Sequence, residues 1–315
     1  MKCRAEVLHD GMLPALICVP FVSVNLFKRV KGDERMNDSI RKYFPIFVLP
    51  TLAAFIIGFI VPFILGIYLS FCKFTTVVDA EFVGLSNYIK IFGDNNFLHS
   101  MWYTAAFTVV SVILINLFAF IVAMLLTKGF KGTNIFRTVF FMPNLIGGIV
   151  LGYIWQIILN GVLARYGVTL QFSATYGFWG LVILMCWQQI GYMMIIYIAG
   201  IQNIPTELIE AAKIDGATSW QTLKNVVLPM VMPSITICTF LTLTNGFKLF
   251  DQNLALTGGG PSHQSEMLAL NIFDTFYAKM GYEGVGQAKA VIFFILVALI
   301  AFIQLRATRS KEVQQ

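Results

Sequence analysis

The chain has 315 residues, of which 57% are hydrophobic and only 12% charged, with 29 Phe and a mean hydropathy of +0.76; soluble domains run at about 45–50% apolar and about 25% charged, so the composition excludes one and indicates an integral membrane protein. A net charge of +6 does not argue for nucleic acid here, because the basic residues flank apolar runs, where topology signals belong. Five cysteines, Cys3, Cys18, Cys72, Cys186 and Cys238, lack CxxC or Cys/His spacing, so neither a disulfide framework nor a metal site is suggested.

Residues 11–27, GMLPALICVPFVSVNLF, form an apolar run that is short for a span and interrupted by Pro14 and Pro20. Two readings stand: a signal anchor, or a native start at Met36, since MNDSIRKYFPIFVLP is itself a short basic leader followed by a span. Residues 1–43 are accordingly assigned as a leader, with 1–35 outside the functional argument.

A hydrocarbon core about 30 Å thick needs about 20 apolar helical residues to cross it. Six stretches qualify, at 44–71, 101–127, 135–160, 178–201, 233–250 and 288–305, the fifth being the shortest and most polar. Basic residues orient them. Lys28, Arg29, Lys31, Arg35, Arg41 and Lys42 precede the first span, Lys128, Lys131 and Arg137 follow the second, and Arg306, Arg309 and Lys311 follow the last, so these faces are expected to be cytoplasmic. The alternate connections hold fewer for their length, Lys73 and Lys90, then Arg165, then Lys279 and Lys289, and are expected outside. The connection between the fourth and fifth spans therefore lies inside the cell.

That connection reads IPTELIEAAKIDGATSWQTLKNVVLPMVMP over 204–233. Pro205 suits the first position of a helix and Glu207 favours its positive end. Asp215-Gly216 is a turn pair in which Gly216 can take the positive φ that ends a helix. Thr218 and Gln221 have capping-box spacing for a second helix, Trp220 and Leu223 supply its apolar contacts, and Pro229 limits its length. With only Lys213 and Lys224 basic, this is no DNA-binding helix-turn-helix, whose affinity is dominated by phosphate contacts.

No G-x-x-x-x-G-K-[ST] phosphate loop is present, so the chain hydrolyses no nucleotide of its own. None of the 16 acidic residues lies inside an expected span, Asp251 at an edge coming nearest, which disfavours ion coupling. His9, His99 and His263 also fall outside the spans, leaving no constellation for an intramembrane enzyme. The spans carry neutral polarity instead, including Asn116, Gln156, Gln188, Gln189, Thr239, Thr242, Thr244 and Asn245, with Trp155, Trp187 and Tyr192 nearby. Part of it serves helix-to-helix hydrogen bonding, and part suits a neutral polyol such as a sugar. Lys248, near one end of the fifth span, reads as paired with Asp251 or snorkelling.

Residues 204–233 resemble the EAA loop of the permease subunits of binding-protein-dependent ABC importers, preserving Glu210, Ala211, Ala212, Asp215, Gly216, Ala217, Leu228 and Pro229 at the family's spacing. FVGLSNYIKIF at 82–92 and FDQNLALTGGGP at 250–261 resemble the carbohydrate uptake permeases, a group that includes the maltose transporter's larger permease and glycerol-3-phosphate permeases. The resemblance implies an all-α integral membrane protein of the type I ABC importer permease fold, with six transmembrane helices over 44–306, a coupling loop at 203–229 whose short helix docks in a cytoplasmic ATPase, and a tail at 307–315. It places Gln188, Gln189, Tyr192, Thr242, Asn245, Gly246 and Leu249 where the maltose relative contacts sugar, although only Tyr192 is the same residue type and Thr242 a close one. It further implies a non-catalytic subunit without cofactor in a prokaryotic cell membrane. The implied partners are a second homologous permease, two ATP-binding subunits, an external solute-binding protein and a sugar. An ion-coupled carrier, or a permease for a non-sugar solute such as glycerol-3-phosphate, stands as the alternative. A chain beginning at Met36 is expected to be fully functional, because the basic leader and first span it keeps already specify topology. Mass spectrometry of the native N-terminus checks this, and a mature chain retaining residues 1–35 would contradict it.

Overall fold

The computed structural model describes residues 34–129 and 131–309, almost entirely as helices. Residues 1–33 of the expected leader and 310–315 of the expected tail lie outside the described residues. The chain divides into two units, one ending at Gly66 and the other beginning at Ile67. From the first unit α1 (Glu34–Phe55) passes through a π-helical turn (Ile56–Ile60) into α2 (Val61–Leu69), whose last residues, from Ile67, belong to the second. The apolar stretch Ile46–Leu69 matches the expected first span. Phe55, Phe59 and Phe63 recur every four residues, so they share a face and stack in sequence, with ring centroids 5.2 and 6.1 Å apart.

After the end of α2 the second unit continues with a short antiparallel pair, β1 (Cys72–Lys73) and β2 (Glu81–Phe82), followed by α3 (Ser86–Phe92). The FVGLSNYIKIF motif has a packing role here. Buried Asn87 donates to the carbonyls of Ser70 (3.0 Å) and Cys72 (2.9 Å), and Tyr88 OH bonds Ser70 Oγ at 2.7 Å. Those amide and hydroxyl contacts replace water where β1 passes under α3.

Helix α4 (Asn95–Leu126) is capped by Asp94, whose Oδ1 accepts from the amides of Asn96 (3.0 Å) and Phe97 (3.3 Å). It starts earlier than the expected second span and includes His99, which was placed outside it. The expected third span is broken. Residues 133–141 form a separate helix, α5 (Thr133–Phe141), then a tight turn (Met142–Leu145) and α6 (Gly148–Leu163). Pro143 lacks an amide donor and Gly147 is extended at φ −60° and ψ 140°, so the helix restarts rather than running through. The apolar crossing is Gly148–Tyr166.

Helix α7 (Ala174–Gln202) is the centre of the unit, with 61% of its most apolar window buried against 28% for α4 and 11% for α6. After it come α8 (Thr206–Ile214), α9 (Ser219–Thr222), a π-helical turn (Leu223–Val227), α10 (Leu228–Met230), α11 (Met232–Phe247), α12 (Asp251–Leu256), α13 (Leu268–Tyr277) and α14 (Glu283–Arg309). Among the described residues five helices are long and apolar enough to cross a membrane, and the bent pair Ser219–Met230 and Met232–Phe247, at 69°, supplies a sixth crossing if counted as one span.

Glycines one turn apart on α6 let α12 lie against it. A Cβ at Gly148 would stand 2.7 Å from Asp251 Cβ, and one at Gly152 would stand 2.6 Å from Ala255 Cβ. The loop beyond is held by Asn253, which donates to Thr257 Oγ1 (3.0 Å) and the Ser265 carbonyl (2.8 Å) and accepts from the Met267 amide (2.9 Å). In the same loop the ligand atoms of His263, Glu266 and Asp274 lie within 4.8 Å of one another. Glu266 Oε2 is already engaged, accepting from Asn271 at 3.2 Å and facing His263 Nδ1 at 3.2 Å. Burial pushes the Glu266 carboxyl up, Asn271 and His263 oppose this, and the Asp274 carboxylate adds to it.

Lys289 departs furthest from its sequence assignment. It counts among the basic residues of the connection before the sixth span although the expected span at 288–305 already contains it, and the structure sides with the span: α14 begins at Glu283, and Lys289 sits inside the helix with no exposed surface. Its Nζ donates to Asp94 Oδ2 (2.7 Å), Asn271 Oδ1 (2.8 Å) and Thr275 Oγ1 (2.8 Å), which uses all three of its donors. Burial pushes the Asp94 carboxyl up, but Lys289 and the amides of Phe97 and Asn96 outweigh it and hold it below its ordinary value. Replacing Lys289 with Met leaves Asp94 and two neutral oxygens without their partner, at a cost of about 3 kcal/mol. Thermal melting of the detergent-solubilised protein is expected to show that loss, and adding Asp94→Asn should recover part of it.

Candidate functional site

The connection between α7 and α11 folds as a helix, a corner and a second helix. Pro205 stands just before α8 rather than in its first turn, at φ −56° and ψ 130°. Helix α8 ends in a left-handed residue, Gly216 at φ 74°, with the Ala217 amide reaching the Ala212 carbonyl (2.9 Å) and the Gly216 amide reaching Lys213 (3.1 Å). This pair of bonds is the Schellman stop, and its left-handed position favours glycine. The expected capping box is present. Gln221 N donates to Thr218 Oγ1 at 3.3 Å and Thr218 N to Gln221 Oε1 at 2.7 Å. Pro229 does not end the second helix, which continues to Met230 before the 69° bend at Val231.

Apolar residues divide between two faces. Ile204, Val227 and Val231 are buried, and Ile209, Leu223 and Met230 pack on the main core. Ile214 is 85% and Trp220 69% exposed, so Trp220 does not supply the internal contact expected of it. Glu210, Ala211, Asp215 and Gly216 are also exposed, Ala212, Ala217, Leu228 and Pro229 half-buried. Among the described residues, neither Glu210 nor Asp215 is in a salt bridge. The result is a corner, fixed by the Schellman stop and the capping box, that presents two large apolar side chains and two free carboxylates.

The second candidate group is a polar seam through α4, α7, α11 and α12. Gln189 and Asn245 meet, with Asn245 Nδ2 3.4 Å from Gln189 Oε1. Gln188 turns elsewhere, accepting from Gln252 Nε2 at 2.9 Å and reaching the Ile146 carbonyl at 3.5 Å. Tyr192, one turn from Gln188, is half-buried with its ring 6.4 Å from that of Phe141. Thr242 belongs to a different chain of bonds: Tyr197 OH donates to Asn116 Oδ1 (2.7 Å), Asn116 Nδ2 to Thr242 Oγ1 (3.0 Å), and Thr242 to the Cys238 carbonyl (2.8 Å). Gly246 faces Thr108, and Leu249 is in the core. Of the seven residues only Gln189 and Asn245 bond one another, while Gln188, Tyr192, Thr242, Gly246 and Leu249 each face other partners.

Gln252 is the member that sequence reasoning missed. It stands within FDQNLALTGGGP, two residues past the end of the fifth expected span, where nothing local signals that α12 folds back against α6 and α7. Lys248 is exposed, and among the described residues it forms no ion pair with Asp251.

Comparisons with known proteins agree with this architecture. Residues 116–311 match the family of binding-protein-dependent transport system inner membrane components. The chain is 45% identical over 278 residues to the probable starch degradation products transport system permease protein AmyD of Thermoanaerobacterium thermosulfurigenes, covering 85% of this chain and 94% of that one. It is 30% identical over 277 residues to the multiple sugar-binding transport system permease protein MsmF of Streptococcus mutans, covering 85% and 95%. A crystallised bacterial ABC transporter involved in the import of the acidic polysaccharide alginate superposes with a TM-score of 0.75 at 18% identity, over 88% of this chain and 99% of that one, a likeness of fold.

Proposed function

The chain belongs to the inner membrane components of binding-protein-dependent transport systems, and from that membership we propose how it works. It is the membrane-spanning permease subunit of a sugar importer driven by ATP, and its helices form the translocation path. Residues 206–216 are the coupling helix, docked in a cleft of a separate ATPase on the cytoplasmic side. A second, homologous permease, two ATP-binding subunits and an external solute-binding protein complete the assembly. Closure of the ATPase pair moves the corner at Gly216, and the spans rock so that the seam around Gln188, Gln189 and Asn245 alternates its exposure.

One observation supports the coupling role above the rest. The corner leaves Ile214 and Trp220 exposed, at 85% and 69%, beside the free carboxylates of Glu210 and Asp215. A loop that only joined two spans would gain by burying these apolar side chains, whereas a docking helix needs them outside. For the substrate, the 45% identical relative named for starch degradation products favours a neutral α-glucan oligosaccharide. The seam agrees chemically. Gln188, Gln189, Asn245 and Gln252 offer both donors and acceptors without charge. An anion such as glycerol-3-phosphate would want a cation there, and the nearest in sequence, Lys248, lies exposed at the end of α11.

Gly216→Pro and Glu210→Lys are expected to leave the chain inserted and to abolish uptake; persistent uptake with normal ATPase association in both variants would remove the coupling role. For the sugar site, Gln188→Ala and Asn245→Ala are expected to weaken maltotriose transport by about five- to hundredfold, the worth of a buried hydrogen bond of about 1–3 kcal/mol. Transport kinetics beside a melting curve decide the matter, because a residue used only in helix packing would lower assembly and transport together.

A further inference from the structure

Four side-chain hydroxyls of α4, Ser100 Oγ, Tyr103 OH, Thr108 Oγ1 and Ser111 Oγ, are buried and make no hydrogen bond. Ser100 and Ser111 are 0% exposed and Thr108 2%. A helical serine or threonine in an apolar setting ordinarily turns its hydroxyl back to a carbonyl three or four residues earlier. Elsewhere in this chain Thr138, Thr236, Thr242, Thr244 and Thr275 all do so, at 2.7 to 3.1 Å. The hydroxyls of α4 are thus an exception within the same molecule.

Their spacing places them together. Ser100, Thr104, Thr108 and Ser111 recur at intervals of three and four, so they form one face about 16 Å long. Part of that face is used: Thr104 Oγ1 accepts the Leu268 amide at 2.8 Å. Beyond it Thr108 lies against α11, where a Cβ on Gly246 would come within 2.9 Å of Thr108 Oγ1, and two turns further on Asn116 bonds Thr242. Gly246 and Thr242 belong to the proposed sugar site, so Thr108 lies on the opposite side of that contact, with Ser111 one turn further along the same face of α4.

We propose that Thr108 and Ser111 are sugar-binding residues, forming the facing wall of the translocation path and bonding the hydroxyls of a neutral oligosaccharide when α4 and α11 part. This rests on the sugar-permease reading given above. A hydroxyl that both donates and accepts can exchange one sugar hydroxyl for the next as the ligand advances, whereas an ionised group would hold it. Because the glycine at 246 and the short side chains facing it interlock without a hydrogen bond between Thr108 and α11, the two helices can separate there without breaking one.

The test uses the complete transporter in proteoliposomes with its binding protein and maltotriose as the probe. Thr108→Val and Ser111→Ala remove a hydroxyl at nearly constant shape. Each is expected to raise the KM for maltotriose about fivefold or more, with the melting temperature of the complex unchanged or higher, because no hydrogen bond is lost. Thr108→Ser, which keeps the hydroxyl, should return the KM towards wild type. An unchanged KM in both variants would overturn the row as a sugar wall while leaving the sugar-permease reading intact. A lower melting temperature with transport reduced in proportion to assembly would also overturn it, by showing that the hydroxyls join helices. If the wild type takes up no maltotriose, the proposed substrate falls, and this inference falls with it.

Discussion

A polar group carried into the apolar interior of a membrane bundle must find its partner in the protein, since neither lipid nor a packed core supplies one. Among the described residues Lys289 carries the largest such demand, and two other segments are arranged to meet it. Asp94 comes from the start of α4, and Asn271 and Thr275 come from successive turns of α13. Asn271 then passes the chain of bonds on to Glu266. The same requirement orders the neighbouring loops, where Asn253, Asn87 and Thr104 each satisfy backbone groups that no helix or sheet can reach. Non-helical backbone survives here because side-chain amides and hydroxyls take the place of water.

What was legible in the sequence is what the local chain decides by itself. Apolar length located the crossings, and the Asp215-Gly216 corner followed from a left-handed position that favours glycine. The break before α6 was hidden because hydropathy continues across Pro143 and Gly147 while the helix does not. The start of α14 was hidden for the opposite reason. A lysine reads as a boundary in a hydropathy profile, and only partners up to 195 residues away in sequence make it acceptable inside the helix. Gln252 escaped for the same reason, as its role depends on α12 folding back against α6. Trp220 and Leu223 both read as apolar contacts of the second helix, and only the folded corner decides that Leu223 packs on the core while Trp220 points outward.

Two kinds of polar contact therefore serve different ends. Around Lys289 the donors are spent in short bonds to several elements, which suits a fixed frame. Along the face of α4 against α11, hydroxyls are left over, and between α7 and α11 the contact of Asn245 with Gln189 is long at 3.4 Å. An interface with few bonds to break is one that can open. In the proposed mechanism the helix that opens it is α11, which continues from the second helix of the proposed coupling loop through a 69° bend. A push at the exposed corner near Ile214 and Trp220 would reach α11 through the Thr218 capping box and the continuous turns to Met230. In that mechanism the motion would arrive at Thr242, Asn245 and Gly246 on the far part of the same helix. In this arrangement stiffness at the corner and weakness along the seam are complementary requirements: a soft corner would absorb the displacement, and a fully bonded seam would resist it.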